Sequence, residues 1–243
     1  MSAPVPCAHD LHAVTAAFQI RGDFRYAEPY GSGHINDTYR VVFAQAGTEV
    51  PYLAQRINHN VFRQPDRLMD NVARVTSHLQ LKLAGHPDAS RRSLVLIPAR
   101  SGESYHRDPD GNWWRVYLFI AGARTHDVIR SPEQAYQAAR AFGEFQRQLV
   151  DLPGVRLHET IPNFHNTPSR FADFERALAA DARNRAREAK AEIEFVLARR
   201  SLADALLRRH AAGELPERIT HNDTKINNVM LDETTGEAVC VID

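Results

Sequence analysis

Cysteine is scarce in this chain, because Cys7 and Cys240 are the only two among 243 residues. Their separation does not match the close cysteine spacing of a structural metal site. We therefore expect two free thiols, which fits a reducing, cytoplasmic location.

An excess of charge of one sign is also absent. Thirty Lys and Arg residues balance thirty Asp and Glu residues, so the formal net charge is zero. A neutral chain has no overall field that would draw it to nucleic acid or to an anionic membrane. The sequence also lacks a long apolar run and an N-terminal signal, which argues against export or membrane insertion. We expect small-molecule partners, with no nucleic acid and no membrane.

The composition suits a folded protein with a buried core, because 43% of the residues are hydrophobic and 25% are charged. The first 120 residues are rich in strand-like segments, which predict two antiparallel hairpins and one helix near residues 68–83. The turn Ala46-Gly47-Thr48 separates the strands of the first hairpin. The candidate strands are residues 38–43, 52–57, 93–99 and 113–120.

The pattern becomes helical after Ile120. Ser131, Pro132 and Gln134 supply an N-cap, a first-turn proline and a capping-box side chain for a helix. A charged helical pair is predicted over residues 169–210. We place a boundary at Ala121-Gly122-Ala123, which divides the chain into lobes of residues 1–120 and 121–243.

The strongest chemical signal is the octamer HNDTKINN at residues 221–228, followed by a strand that ends in Val241-Ile242-Asp243. Magnesium is a hard cation that prefers oxygen ligands, and phosphate oxygens can complete a shell begun by one amide and one carboxylate. The octamer taken alone equally suits a polar loop capped by Asn and Asp side chains. The strand, turn and strand that follow it favour the catalytic interpretation.

This segment resembles the catalytic loop of protein kinases and of aminoglycoside and choline phosphotransferases. The resemblance implies that Asp223 accepts the proton of the attacking hydroxyl and that Asn228 and Asp243 bind Mg²⁺. Lys225 matches the place where many protein kinases have a lysine that contacts the γ-phosphate, so it would offset charge in the transition state.

A glycine turn lies upstream, at Gly31-Ser32-Gly33-His34-Ile35-Asn36. In the kinase fold a turn of this kind covers the phosphates of ATP, so Gly31, Ser32, Gly33, His34 and Asn36 are candidate ATP-binding residues. Asn36 stands where protein kinases usually have a third glycine. An ordinary hairpin turn is the alternative interpretation.

Arg56 aligns with the strand lysine that contacts the α- and β-phosphates in protein kinases, and a guanidinium suits forked phosphate contacts. The helix that follows contains no Glu to pair with it. We expect Asp66, Asp70 or Asn71 to take that place, or no residue to do so.

Five segments resemble the N-acetylhexosamine 1-kinases within the aminoglycoside phosphotransferase superfamily: GSGHINDTY, LAQRINHNVF, WWRVYLFI, PNFHNTPSRF and THNDTKINNVMLD. The resemblance extends from about residue 28 onward. It implies an α+β, protein-kinase-like fold with an antiparallel five-stranded sheet in the N-terminal lobe, a hinge near residues 118–125 and a helical C-terminal lobe. It also implies transfer of the ATP γ-phosphate to the anomeric hydroxyl of an amino sugar.

The segment around Pro162-Asn163-Phe164 adds two weaker candidates, His165 and Asn166, which could contact a sugar. A helix-capping turn is the simpler interpretation. Other acceptors, such as an aminoglycoside, choline or a sugar alcohol, remain alternatives. The chain stops at Asp243 directly after an apolar run, so we expect a fragment, and an inactive nucleotide-binding fragment is the alternative from another class.

Overall fold

An antiparallel sheet occupies the first half of the chain. The computed structural model describes residues 9–31, 33 and 35–243, and these include six strands of this sheet. They are β1 (Asp23–Pro29), β2 (Asp37–Gln45), β3 (Thr48–Ile57), β4 (Leu96–Ile97), β5 (His106–Arg107) and β6 (Trp113–Leu118). Their spatial order is β1-β2-β3-β6-β4, and β5 also pairs with β6. The five strands that the resemblance implied are therefore one fewer than the six observed. The sequence pattern marked four and missed β1, which is mostly exposed, and the two-residue β5, because neither shows apolar alternation.

The β2–β3 hairpin was predicted correctly, although both strands are longer than the sequence pattern indicated. Pairing runs from Asp37 opposite Arg56 to Gln45 opposite Thr48. Ala46 and Gly47 form the turn between the strands, with φ values of 48° and 83°. Positive φ at both positions is the requirement of a tight two-residue hairpin, which glycine meets at little steric cost.

Seven α-helices lie within the described residues. They are α1 (Leu11–Ala16), α2 (Pro65–Leu83), α3 (Ala89–Arg92), α4 (Pro132–Gln148), α5 (Thr167–Ala180), α6 (Lys190–Leu197) and α7 (Ala205–Ala211). The predicted N-cap of α4 is present, because the Ser131 hydroxyl accepts from the backbone N–H of Gln134. The predicted pair of charged helices is instead three helices, and α1 was not foreseen.

The main hydrophobic core lies between α1 and one face of the sheet. Alternate residues of β2, β3 and β6 point toward α1, as expected for pleated strands. The buried members are Leu11, Val14, Phe18, Ile20, Tyr39, Val41, Phe43, Tyr52, Ala54, Ala99, Trp114 and Val116. We call this surface of the sheet the α1 face and the other surface the opposite face.

A second, smaller sheet follows in the order β7 (Ala123–Arg124), β8 (Val229–Asp232) and β9 (Ala238–Val241). Helix α4 packs on it through a cluster that includes Ala138, Phe142, Val229 and Leu231. The sheet thus ties the segment around residue 123 to the distant segment 229–241. This arrangement places the end of the predicted catalytic loop on a buried support.

The structure divides into two compact units, residues 1–160 with 223–243, and residues 161–222. The lobe boundary predicted near residue 120 stays a prediction. In the part of the chain that the structure describes, no helix combines the length and the apolar character needed to cross a membrane.

Candidate active site

The loop before β8 is held together by Asn228. Its side chain is 4% exposed, and its amide nitrogen donates to both the backbone oxygen and the carboxylate Oδ2 of Asp223, at 2.9 and 3.1 Å. Residues Ile226–Asn228 form one turn of 3₁₀ helix that leads directly into β8. Asp223 is therefore fixed to the start of a buried strand although it lies in a loop.

Lys225 lies beside the same carboxylate, with 3.1 Å between its Nζ and Oδ2 of Asp223. The side chains of Lys225 and Asp223 are 53% and 46% exposed, so both can be reached from outside the protein. A solvent-exposed pair of this kind contributes little to stability. The pair does place a carboxylate and an ammonium group side by side, where a ligand could contact both.

Asp243 reaches the same place from the other strand of the hairpin. Val229 pairs with Val241, and the backbone N–H of Ile242 donates to the backbone oxygen of Asn228 at 2.9 Å. Asp243 thus follows β9 at the end where Asn228 precedes β8. The sequence prediction required Asp223 and Asp243 to lie on the same side of the molecule, and this geometry brings them to one end of one hairpin.

The chemistry of these groups suits a hard divalent cation. Both hydrogen bonds from Asn228 use its amide nitrogen, so Oδ1 is the atom that this side chain can offer to a metal. Asp243 supplies a carboxylate from the adjoining strand. Within the described ranges no group of three or more His, Cys, Asp and Glu side chains forms a metal cage. Mg²⁺ often keeps few protein ligands and completes its shell with phosphate oxygens, so one amide and one carboxylate fit such a site.

The predicted glycine turn is described only in part. Gly31 has a φ of 81°, a conformation that favours glycine, and both Gly31 and Gly33 are exposed. The Asn36 side-chain oxygen accepts from the backbone N–H of Asn58 at 3.0 Å, which fastens the end of the turn to the residue after β3. Ser32 and His34, also predicted to bind ATP, lie outside the described residues.

The model of the phosphotransferase enzyme family (APH) matches residues 27–243. The chain belongs to this family.

Two solved structures resemble the chain in fold. One is a spectinomycin phosphotransferase in complex with ADP and spectinomycin, with a TM-score of 0.57 and 12% identity over 99% of this chain and 69% of that one. The other is an aminoglycoside phosphotransferase from Alicyclobacillus acidocaldarius, with a TM-score of 0.57 and 17% identity over 100% of this chain and 67% of that one. The predicted α+β, kinase-like fold is thereby confirmed.

Arg56 of this phosphotransferase lies in β3, and the strand pairing decides which face of the sheet it occupies. It stands opposite Trp114 and Asp37 in the strand pairing, and directly opposed residues share a face, so it lies on the α1 face. Its guanidinium pairs with Asp37, whose carboxylate is also 3.8 Å from His9.

Of the two alternatives left open for Arg56, a partner from α2 or none from that helix, the structure agrees with the second, because Asp37 of β2 is the partner. Asp70 instead faces Arg74 and His158, and Asn71 exchanges hydrogen bonds with the backbone of His158. In protein kinases the partner of this cation lies on the helix. The strand register supplies Asp37 directly, and the period-two pattern of β2 could have revealed it.

His165 and Asn166 lie in the unit formed by residues 161–222. The Asn166 side chain accepts from the backbone N–H of Ser169 and caps α5, in agreement with the simpler interpretation. One ring nitrogen of His165 is hydrogen-bonded to the backbone oxygen of Asn222. A sugar contact by either residue stays a prediction.

Two further polar residues near the site were not singled out from the sequence. Asn227 donates to the carboxylate of Asp127 at 3.2 Å, which links the catalytic loop to the segment after β7. Arg115 is buried in β6 at 5% exposure. A charged residue inside the otherwise apolar run WWRVYLFI was a visible signal, since arginine is rarely buried without a purpose.

Proposed function

We propose that this chain transfers the γ-phosphate of ATP to a hydroxyl group of a small molecule. The observation that carries the proposal is the meeting of Asp223, Lys225, Asn228 and Asp243 at one end of the β8–β9 hairpin. Phosphoryl transfer asks a protein mainly for positioning and charge stabilisation, and these four side chains supply both.

Asp223 orients the acceptor hydroxyl and takes its proton as the new O–P bond forms. Asn228 keeps that carboxylate in place through its amide nitrogen. Bound to Asn228 and Asp243, Mg²⁺ would neutralise phosphate charge. Lys225, which reaches Asp223 at 3.1 Å, is near enough to the reacting centre to offset negative charge on the transferred group.

The proposed nucleotide site lies between the glycine turn and the catalytic loop. Gly31 and Gly33 leave the backbone of the turn open, and Asn36 anchors it to the end of β3. This assigns nucleotide binding to residues 1–120 and the catalytic loop to residues 121–243.

The decisive experiment replaces Asp223 with Asn. The amide keeps an oxygen that can accept from Asn228, but it is a poor base, so turnover should fall by roughly two to four orders of magnitude. Binding of Mg-ATP, measured by calorimetry, should change much less. Asp204→Asn is the matched control, because the ion pair of Asp204 is with exposed Arg208 in the 161–222 unit. Near-wild-type turnover of Asp223→Asn would remove the proposed base.

For the acceptor we propose an N-acetylhexosamine that is phosphorylated at its anomeric hydroxyl. The support is the resemblance of the five segments quoted above to the N-acetylhexosamine 1-kinases. Labelled ATP should be consumed with N-acetylglucosamine or N-acetylgalactosamine and not with their 1-O-methyl glycosides, which lack the free anomeric hydroxyl.

An aminoglycoside, choline or a sugar alcohol as the better acceptor would redirect the proposal within the same reaction class. Thermal stabilisation by Mg-ATP without turnover on any acceptor would instead indicate a protein that only binds the nucleotide. Running both assays on the same preparation distinguishes these outcomes.

A further inference from the structure

Arg115 is a buried cation whose charge is not balanced by a neighbouring acid. Its Nε donates to Oε1 of Gln55 at 3.0 Å, and its guanidinium carbon lies 5.3 Å from the centre of the Tyr117 ring. Among the residues that the structure describes, no carboxylate is within ion-pairing distance of it. Gln55 is neutral, so the two contacts orient the guanidinium without cancelling its charge.

This arrangement is costly for a residue with no further role. Arginine keeps its proton in proteins, so burial cannot be relieved by loss of the charge. A buried charge without an ionic partner is strongly unfavourable, and buried ions in proteins are normally paired or bound to a ligand. A guanidinium offers five N–H donors, and the Gln55 contact accounts for one of them. The remaining donors suit an anion with several oxygens, such as a phosphate.

The strand pairing shows on which face of the sheet Arg115 lies. Arg115 stands opposite Gln55 in the pairing of β3 with β6, and Gln55 in turn donates to Thr38 at 3.0 Å. Trp114 and Val116, its neighbours in β6, belong to the core beneath α1. Arg115 therefore lies on the opposite face, away from Arg56.

That face leads toward the predicted metal ligands. Tyr117, on which Arg115 stacks, follows two residues later and points the same way. Burial raises the pKa of Tyr117, the charge of Arg115 lowers it, and the charge of Asp243 raises it to a smaller extent. Ile120, just past β6, packs in one cluster with Ile242, the residue before Asp243. The charges of Arg115 and Asp243 thus both act on Tyr117, and the chain just after β6 packs against the residue before Asp243.

We propose that Arg115 binds the non-transferred phosphates of the nucleotide. It would take the role that the resemblance to protein kinases gave to Arg56. The proposal depends on the ATP-dependent function proposed above. Gln55, directly across the strand pair, holds the guanidinium in the orientation that the phosphates require. The cation that serves the phosphates is then carried by β6 instead of β3.

The test compares ADP with adenosine as ligands, both with Mg²⁺, by calorimetry. Arg115→Met keeps an unbranched apolar stem and removes the guanidinium with its charge, so affinity for ADP should fall by about 10- to 100-fold. Affinity for adenosine should stay within about twofold, since adenosine carries no phosphate. Arg115→Lys should give an intermediate loss, because a point charge replaces the fork.

Two further variants make the comparison specific. Arg107→Met removes an exposed guanidinium stacked on Trp113 at 5.7 Å, and should leave both affinities unchanged. Arg56→Met tests, in the same assay, the alternative that Arg56 binds these phosphates. A selective loss of ADP affinity in Arg56→Met and not in Arg115→Met would overturn the proposal, as would equal losses for ADP and adenosine in Arg115→Met.

Failure of this proposal can be distinguished from failure of the proposed function. A wild-type protein that binds ADP while Arg115→Met binds it equally well refutes the role of Arg115 alone. A wild-type protein that binds neither ATP nor ADP refutes both. Where Arg115→Met does not fold, the wild-type protein labelled with ¹⁵N-arginine supplies the result. The Nε–H signal that Arg115→Lys removes should shift on addition of ADP and not of adenosine, and no shift with ADP contradicts the proposal.

Discussion

The segment 223–243 and the segment 161–222 are supported in different ways. Segment 223–243 carries the candidate catalytic residues and is partly buried. Its buried residues are Asn228, Val229, Met230, Leu231 and Cys240. Every residue of segment 161–222 is at least partly exposed, although it contains three helices. The chemistry is thus anchored to buried strands, whereas the helices of the longer segment have no deep core of their own.

Local pairs take the place of a core in the longer segment. The pairs Arg208–Asp204 and Lys190–Glu194 connect successive helical turns at 3.1 and 3.7 Å. The guanidinium of Arg199 stacks on Phe195. Such exposed pairs contribute only a few tenths of a kcal/mol each. We therefore expect the two segments to respond very differently to equal changes.

The largest difference should appear when leucine is cut to alanine in each segment. Leu231 is 2% exposed between α4 and the small sheet, so Leu231→Ala should lower the free energy of unfolding by about 2–5 kcal/mol. Leu206 is 72% exposed, so Leu206→Ala should change it by no more than about 0.5 kcal/mol. Urea unfolding followed by tryptophan fluorescence measures both. Equal losses in the free energy of unfolding for Leu231→Ala and Leu206→Ala would show that segment 161–222 has a buried core.

A smaller difference is expected from removing one negative charge in each segment. Asp232 ends β8, where its Oδ1 accepts from the backbone N–H groups of Thr234 and Thr235 and its Oδ2 from Arg91. Arg91 also donates to the backbone oxygens of residues 121 and 122, so the pair ties the boundary segment to the β8–β9 turn. Asp232→Asn should destabilise the protein more than the Asp204→Asn control.

The pH dependence gives a second measurement of the same pair. The Thr235 N–H, the Arg91 guanidinium and the Thr234 N–H lower the pKa of Asp232 to about 2. The contribution of Asp232 is therefore complete above its ordinary pKa near 3.8 and is lost as the pH falls toward 2. The difference in the free energy of unfolding between wild type and Asp232→Asn should become smaller over that pH range. A gap that stays constant from pH 5 to pH 2 would contradict the assigned contacts.

Sequence patterns predicted the elements that depend on local rules. The β2–β3 hairpin followed from alternation and a glycine turn, and α4 from its cap at Ser131. The loop residues Asp223 and Asn228 were identified from the resemblance of HNDTKINN to a kinase catalytic loop, and the structure joins them by hydrogen bonds. These features are encoded within a few residues of one another.

The features that a local pattern does not determine depend on distant parts of the chain. Arg56 was assigned by position in a strand, but the face that it occupies is decided by the register with β2 and β6. The buried cation Arg115 could be interpreted only after β6 had been placed beside β3 and Asp243. Pairing between strands 60 residues apart cannot be deduced from alternation within either strand.

The smallest effect on stability is expected at Cys240, where the two segments can be compared by thiol chemistry. Burial raises the pKa of the Cys240 thiol to about 12, which leaves about a thousandfold less thiolate than at its ordinary value of 9.0. Native protein in a Cys7→Ser background should therefore react with a thiol reagent very slowly from pH 7.5 to 9.5. Leu206→Cys in the same background should add one thiol that reacts at the rate of a free cysteine, and its rate should rise with pH.

The sign of the stability change follows from the same pKa. A raised folded-state pKa means that the contribution of the protonated thiol is complete below the ordinary pKa and is lost as the pH rises toward 12. Cys240 therefore has no effect on the pH dependence of stability near pH 7 and weakens the fold only in alkali. Rapid labelling of Cys240 at pH 7.5 would mean that β9 opens readily. The strands that support the candidate catalytic segment would then be no better protected from solvent than the helices of segment 161–222.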